Sequence, residues 1–560
     1  MIRRAGQGVA AAAVVIGAVT VLARVVGFAK QLVLARVVGT NCLTTAYFTA
    51  NGLPNIVFEI VAGGALAGMV VPVIAGASRD GRPDPEAAGR IASALLTWVV
   101  VLLVPLAALT ALAAGPLVAL FAGDVPGCDP GTFAAVATRM LVVFAPQIPL
   151  YGVAVVLYGV LQAHRRFVGP AVAPLVSSLV VIAAYLTYVP LGGGAGADPL
   201  GVPRPAELAL SVGTTLGVLA LVVTVIGPSS RLGLRLRPTL RFPGGVARQV
   251  RALALAGLAA LVAQQVATAL VIWLANHRAG GGALTAYNYA WAIYQVPYAV
   301  LAVPIATSAF PALAARVGDR EGFAALSART TRAVLLVSGL AAGVLAAVAA
   351  PVAAVFVEGL AGGARATVPA GELAWAIALF APGLVGYGLI AHLGRVLYAT
   401  GQGRAAAAGT VGGWLVVMAA QAVLTVVLPA PWRLAGLALG SAIGMTAGGA
   451  LLLAAVARSR GGAALAGAGR AAPAAVLGGA AGFLAGHLVA AALPVHGTVA
   501  NAGVAALSGV AAAVAALAVA ALADRPDLAW LMARRRGSGD DPRKVPAPAG
   551  AGHEREDADG

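Results

Sequence analysis

The sequence predicts an all-α polytopic membrane protein of about 14 transmembrane helices. Three observations carry that. The chain is 60% hydrophobic and only 10% charged, with a mean hydropathy of +0.92, against about 25% charged residues in soluble domains. Its apolar runs reach or exceed the ~20 residues a helix needs to cross a bilayer. Its basic residues crowd into alternate loops.

The spans run approximately 9–38, 43–77, 91–121, 131–162, 168–190, 206–228, 248–276, 283–315, 327–357, 371–400, 405–428, 433–457, 471–493 and 500–523. The tip Met1–Arg4 leads straight into an apolar run too long for a signal-peptide core, so the first segment is expected to stay as a span. Prolines inside the spans, among them Pro54, Pro146, Pro304 and Pro382, predict kinks of the kind that cavity-lining helices tolerate.

With a cytoplasmic N-terminus, the cytoplasmic ends, loops and tail hold 28 Lys and Arg, the outer loops four, and the spans five. One missed helix would invert every later loop, so this asymmetry predicts both the span count and cytoplasmic N- and C-termini. The net charge of +17 is thereby read as contact with anionic lipid at the cytoplasmic face rather than nucleic-acid binding.

Ala46-Tyr47 and Ala286-Tyr287 open spans 2 and 8, and Val160-Leu161-Gln162-Ala163 and Val396-Leu397-Tyr398-Ala399 end spans 4 and 10. The near-equal offsets predict a parallel repeat of six helices, with a substrate site between the halves. The expected organisation is a first lobe over 1–240, a second over 241–462, two additional helices over 463–523, and a disordered cytoplasmic tail over 524–560.

No Walker A motif, catalytic signature or metal-ligand spacing is present, so neither a cofactor nor a metal is expected, and a transporter is expected rather than an enzyme. Cys42 and Cys128 fall in two outer loops, where a disulfide can form; the expectation for two lone cysteines is that they stay unpaired.

Span interiors carry Arg24, Lys30, Arg36, Glu59, Arg139 and Arg395. Intramembrane charge costs at least ~2.5–3.5 kcal/mol on insertion scales, so it tends to face a polar pathway or a partner. Arg24 and Glu59 lie at similar depth in adjacent antiparallel helices and are read as a pair, either a gate or ion-coupling switch or a permanent structural contact. Lys30 is six residues from Arg24, about 240° around an ideal helix, so the two share a face only if span 1 bends at Gly27. Arg36 and Arg139 are read as snorkelling to the headgroups, and His392 and His487 as packing residues. Asn55, Gln264, Gln265, Asn288 and Gln295 either line a cavity or bond neighbouring helices.

Several stretches resemble the MurJ (MviN) family of the multidrug/oligosaccharidyl-lipid/polysaccharide exporter superfamily. Ala23-Arg24-Val25-Val26-Gly27-Phe28-Ala29-Lys30 is similar to its opening motif. Leu53-Pro54-Asn55, Gly64-Ala65 and Val71-Pro72 resemble its second helix, and Arg166-Phe167, Pro170-Ala171 and Ala173-Pro174 its fourth-to-fifth junction. Arg395-Val396-Leu397-Tyr398-Ala399 and Ala435-Gly436-Leu437-Ala438 resemble motifs of its tenth and twelfth helices. The two extra C-terminal helices also fit.

The resemblance implies two six-helix lobes in a V-shaped arrangement around a cationic cavity, in a bacterial inner (plasma) membrane. It implies a flippase that moves the peptidoglycan precursor lipid II to the outer leaflet by alternating access, for cell wall biogenesis. Arg24, Lys30 and Arg395 would hold the lipid-linked oligosaccharide pyrophosphate, and cell-wall synthesis proteins are potential partners. The chain departs from the family pattern at Thr45, Phe58, Glu59, Gly63, Ala292 and Gln295, which makes its cavity less cationic. Two other readings stay open: export of another polyprenyl-linked glycan or an amphipathic small molecule, and a non-transporting scaffold for wall synthesis.

Overall fold

The computed structural model describes residues 2–60, 70–75, 78–79, 82–192, 200–234, 236–242, 246–357 and 367–523. Twelve helices in it are long and apolar enough to span a membrane. The bent pair Ala370–Phe380 and Gly383–Ala399, at 41° to each other, makes a thirteenth span. Span 2 is helical over Cys42–Phe58 and Val70–Ala75, with 61–69 outside the described residues. Thirteen of the expected 14 spans are thus met, and span 2 is met in its two described parts. The one departure from an all-helical chain among the described residues is a two-residue antiparallel ladder, Ser78–Arg79 with Arg82–Pro83, after span 2. The expected tail, 524–560, lies outside the described residues.

Local chemistry sets the helix ends. Asn41 caps span 2: its Oδ1 accepts from the N–H groups of Leu43 and Thr44, and the Thr44 hydroxyl takes the Asn41 N–H in return. That reciprocal arrangement satisfies two otherwise orphaned donors. Asp84, Asp129 and Asp319 cap spans 3, 4 and 9, and Pro85 and Pro130 follow two of them at the first helical position, where no N–H is needed.

Four spans are broken in mid-course. Spans 4 and 10 break at Pro146 and Pro382, as the sequence predicts. Spans 3 and 9 break at Ala113 and Val348, three residues ahead of Pro116 and Pro351, which cannot donate to the carbonyls of Leu112 and Ala347. Span 8 passes through a π-helical turn, Tyr298–Ala302, just before Pro304. Span 1 runs as one continuous helix, Ile2–Val37, straight through Gly27.

Among the first six spans, span 1 packs on span 5, span 2 on the first half of span 4, span 3 on its second half, and spans 5 and 6 on each other. Among the later ones, spans 11 and 12 pair, span 12 also covers span 10, and span 9 backs onto spans 13 and 14. Small residues permit that last contact: a Cβ on Gly343 would lie against the backbone of Gly479.

The two groups meet where span 2 packs on spans 7 and 8 and where span 1 touches span 8 and the second half of span 9. The linker after span 6 is anchored along span 3. The N–H groups of Arg237 and Thr239 donate to Ser93 Oγ and Thr97 Oγ1, and Trp98 Nε1 donates to Leu240 O.

Cys42 and Cys128 form a disulfide, with Cα atoms 5.8 Å apart. This corrects the expectation of free thiols. The capped start of span 2 and the turn before span 4 converge, bringing together residues 86 positions apart in sequence.

Candidate functional site

A cavity of about 360 Å³ lies between spans 1 and 2 on one side and spans 7, 8 and 11 on the other. Its lining contains two charged residues, Lys30 and Glu59. Neither takes part in an ion pair among the described residues. The rest of its polarity is neutral. Asn and Gln number 16 in the whole chain, and eight of them line this cavity. Among the described residues, one lysine or arginine does.

Aromatic rings complete the wall: Tyr47, Phe48 and Tyr185 on the side of the first six spans, Tyr287, Trp291 and Trp414 on the other. Several of these groups are held in place by their neighbours. Tyr47 Oη lies 2.9 Å from both Tyr185 Oη and Thr214 Oγ1. Tyr151 Oη donates to Asn55 Oδ1 at 3.2 Å. Gln421 Nε2 donates to Ser441 Oγ at 2.8 Å and Leu437 O at 3.1 Å. Asn288 Nδ2 donates to the carbonyl of Leu284. Gly52 permits the approach of spans 2 and 7, since a Cβ there would come 2.6 Å from Ile272 Cδ1.

Of the residues singled out in the sequence, Lys30, Glu59, Asn55, Gln264, Gln265, Asn288 and Gln295 all line the cavity. Arg24 and Arg395 do not. Arg24 is exposed, and the ion pair with Glu59 expected from their depth is not formed. Span 1 is an unbroken helix that keeps positions 24 and 30 on different faces, so the face that brings Lys30 to the cavity beside Glu59 turns Arg24 away from it. Arg395 is half-buried in span 10, bonded to the carbonyl of Ala391 and close enough to Tyr298 to interact electrostatically.

Two snorkelling assignments are corrected. Arg139 forms a bidentate pair with Glu207 of span 6, Nε to Oε1 at 2.9 Å and Nη2 to Oε2 at 2.6 Å. Arg36 donates Nε to the carbonyl of Val355, at the end of span 9, at 2.9 Å. The last carbonyls of a helix lack intrahelical donors, which makes them natural partners for a basic side chain. His392 is fully buried, its Nε2 3.1 Å from Thr330 Oγ1, and His487 stacks on Phe483.

Beyond the cavity, toward the disulfide, a seam joins the first six spans to the later ones. Thr40 O accepts from the N–H and the hydroxyl of Thr367, at 2.7 and 2.6 Å. Thr45 Oγ1 accepts from Gly282 N–H at 2.8 Å. Asn276 Nδ2 donates to Thr49 Oγ1 and to Phe121 O. Pro126 O accepts from Gly281 N–H at 2.9 Å. Gly282 adopts φ +87°, and a Cβ there would lie 2.5 Å from Thr367 Oγ1. A Cβ on Gly281 would lie 2.8 Å from Cys128 Sγ, so the glycine turn rests on the disulfide.

The sequence reading missed this seam, because threonine hydroxyls and backbone groups in apolar runs carry no charge signal. It also missed Gln421, Trp291 and Trp414. A lone amide in the middle of span 11 was the signal available for Gln421.

A family model described as lipid II flippase MurJ matches residues 34–496. The chain belongs to the MurJ family. Curated MurJ relatives include a probable lipid II flippase of Rhizobium tropici, 30% identical over 294 residues, covering 51% of each chain. Another is the lipid II flippase of Burkholderia cenocepacia, 27% identical over 301 residues, covering 52% of this chain and 55% of the relative. These matches span about half the length of the curated relatives.

The MurJ fold is shared as well. A solved lipid II flippase MurJ, in an inward closed conformation, superposes with a TM-score of 0.70 at 16% identity, covering 91% of this chain and 98% of the other. An inward-facing multidrug resistance MATE family transporter of the MOP superfamily superposes with a TM-score of 0.63 at 14% identity, covering 79% and 95%. Lys30 stands four residues ahead of the segment matched by the MurJ family model, whereas Glu59 and the amides from Asn51 onward lie within it.

Proposed function

We propose that this chain is a flippase for lipid II, moving the lipid-linked peptidoglycan precursor from the inner to the outer leaflet by alternating access. The observation that carries this is the polar cavity between spans 1 and 2 and spans 7, 8 and 11, in a member of the MurJ family. Two lobes, 1–240 and 241–462, rock about that cavity, and 463–523 adds two helices beside the second lobe. The arginine-rich loops lie in the cytoplasm against anionic lipid, following the positive-inside rule. The disulfide end therefore faces outward, and the Thr40–Thr367 and Thr45–Gly282 contacts form the closed outer gate.

Lys30 meets the pyrophosphate. An ammonium suits a phosphate as a point charge, without the bidentate geometry of arginine. Arg395 meets the headgroup nearer the cytoplasmic end, and Arg24 reaches it only after span 1 moves. Glu59 carries the coupling or gating charge. No bond is made or broken, so the reaction is transport.

The test is replacement of the lipid II flippase in a depleted bacterial host. Restored growth and restored lipid II at the outer leaflet are expected. Good membrane expression without either result would contradict the proposal. It would also favour export of a different polyprenyl-linked glycan, the reading that the cavity's single cation supports.

A further inference from the structure

The cavity concentrates neutral hydrogen-bonding side chains to a degree that a phosphate site does not require. Half of the chain's 16 amide side chains line it, against one basic side chain among the described residues. Lys30 and Glu59 offset each other, so the lining carries no formal net charge among the described residues. A dianionic ligand held by charge alone would be poorly matched here. A side-chain amide offers two donors and two acceptor positions, and hydroxyl groups both give and take, so an amide-rich wall suits a hydroxyl-rich neutral ligand.

The amides are unevenly placed. Gln264 and Gln265 stand on span 7, Asn288 and Gln295 on span 8, and Gln421 on span 11, interleaved with Trp291 and Trp414. Indole faces give apolar contact with little conformational entropy to lose, and their N–H groups stay available. Trp291 is held by contacts with Tyr294, Phe380 and Tyr387. Gln421 is fixed by Ser441 and the carbonyl of Leu437. A wall of this kind is pre-organised.

We infer that the wall formed by spans 7, 8 and 11 recognises the uncharged carbohydrate of a lipid-linked pyrophosphate, and that this wall, not the cation, sets the specificity of the cavity. The inference rests on the transport reading above and divides the labour within it. Lys30 takes the phosphate of any such lipid, while the amide and indole groups distinguish a sugar-bearing lipid from a bare one. An acidic peptide on the same lipid gains nothing from a wall that has no cation among its described residues.

The experiment uses the purified full-length chain in nanodiscs. Three probes are titrated: a short polyprenyl pyrophosphate, the same lipid carrying an uncharged disaccharide, and the same lipid carrying an acidic peptide. The disaccharide lipid is expected to bind at least about tenfold more tightly than the bare lipid, a ratio that one or two net hydrogen bonds supply. Gln264→Leu combined with Gln295→Leu should remove most of that ratio while leaving the affinity for the bare lipid unchanged. Trp291→Leu alone should reduce the ratio, which provides a second reading if the double variant fails to fold. Lys30→Gln should weaken all three lipids by the same factor.

Equal affinity for the bare and disaccharide lipids would overturn the inference. So would a gain that follows the peptide, or wall variants that weaken all three lipids alike. Flipping in the depleted host without a sugar preference would overturn this inference and leave the transport reading standing. A wall-dependent sugar preference in a chain that cannot flip would do the reverse.

Discussion

The disulfide end and the central cavity are both polar, and they treat polarity in opposite ways. At the disulfide end, donors and acceptors from distant spans find each other. Thr367 donates to Thr40 O, Gly282 N–H to Thr45, Asn276 to Thr49, and Arg139 grips Glu207. In the cavity, Lys30 and Glu59 stand in no ion pair among the described residues, and the amides ring an open volume. Pairing inside a low-dielectric region strengthens each bond and raises the cost of losing a partner. Polar groups left facing a cavity keep their capacity for a ligand. One region is built to hold, the other to receive.

Substitutions that remove a partner at the disulfide end should therefore be costly, and equivalent changes in the cavity should barely affect stability. The largest effect is expected from Arg139→Ala. It leaves Glu207, whose side chain is 5% exposed, without its partner, which costs about 3–5 kcal/mol for a buried pair. Thermal unfolding in detergent should show a large drop, and Arg139→Leu with Glu207→Leu should recover most of it. A single variant as stable as the parent would break the comparison.

Cys42→Ser with Cys128→Ser should cost about 2–4 kcal/mol, since the link closes a long segment of chain. Reducing agent should lower the unfolding midpoint of the parent and leave that of the variant unchanged. Thr45→Val should cost about 1–3 kcal/mol by stranding the Gly282 N–H. The same assay reads it, and Thr45→Ser should be close to neutral because it keeps the hydroxyl. Glu59→Gln should alter stability least, by less than about 0.5 kcal/mol, because it breaks no ion pair. A loss comparable with that of Arg139→Ala would mean that the cavity charge is paired after all, and the contrast would fail.

The two regions also differed in how far the sequence revealed them. Charge and amide content in apolar spans are rare, and they drew attention to Lys30, Glu59, Asn55, Asn288 and Gln295, all of which line one cavity. Helix geometry alone separated Arg24 from Lys30 by about 240°, and the continuous helix of span 1 keeps them apart. The family resemblance had suggested that they converge. Hydropathy and loop charge pointed to the span number, and the prolines themselves to the breaks at Pro146 and Pro382. The breaks at Ala113 and Val348 carried a signal as well, in Pro116 and Pro351, which cannot donate to the carbonyls of Leu112 and Ala347 where the first half-helices end. The disulfide, the Arg139–Glu207 pair and the threonine seam depend on which distant segments meet. That is a property of packing between spans and not of any one span, so the closed end was legible only in three dimensions.

The central claim is that the cavity carries a lipid-linked pyrophosphate past Lys30. Its most direct test compares the parent chain with Lys30→Gln in a host depleted of its own lipid II flippase, scoring lipid II exposed at the outer leaflet at matched membrane expression. The account predicts that the parent restores exposure and that Lys30→Gln loses at least about tenfold of it. Restoration by Lys30→Gln equal to the parent would contradict the account.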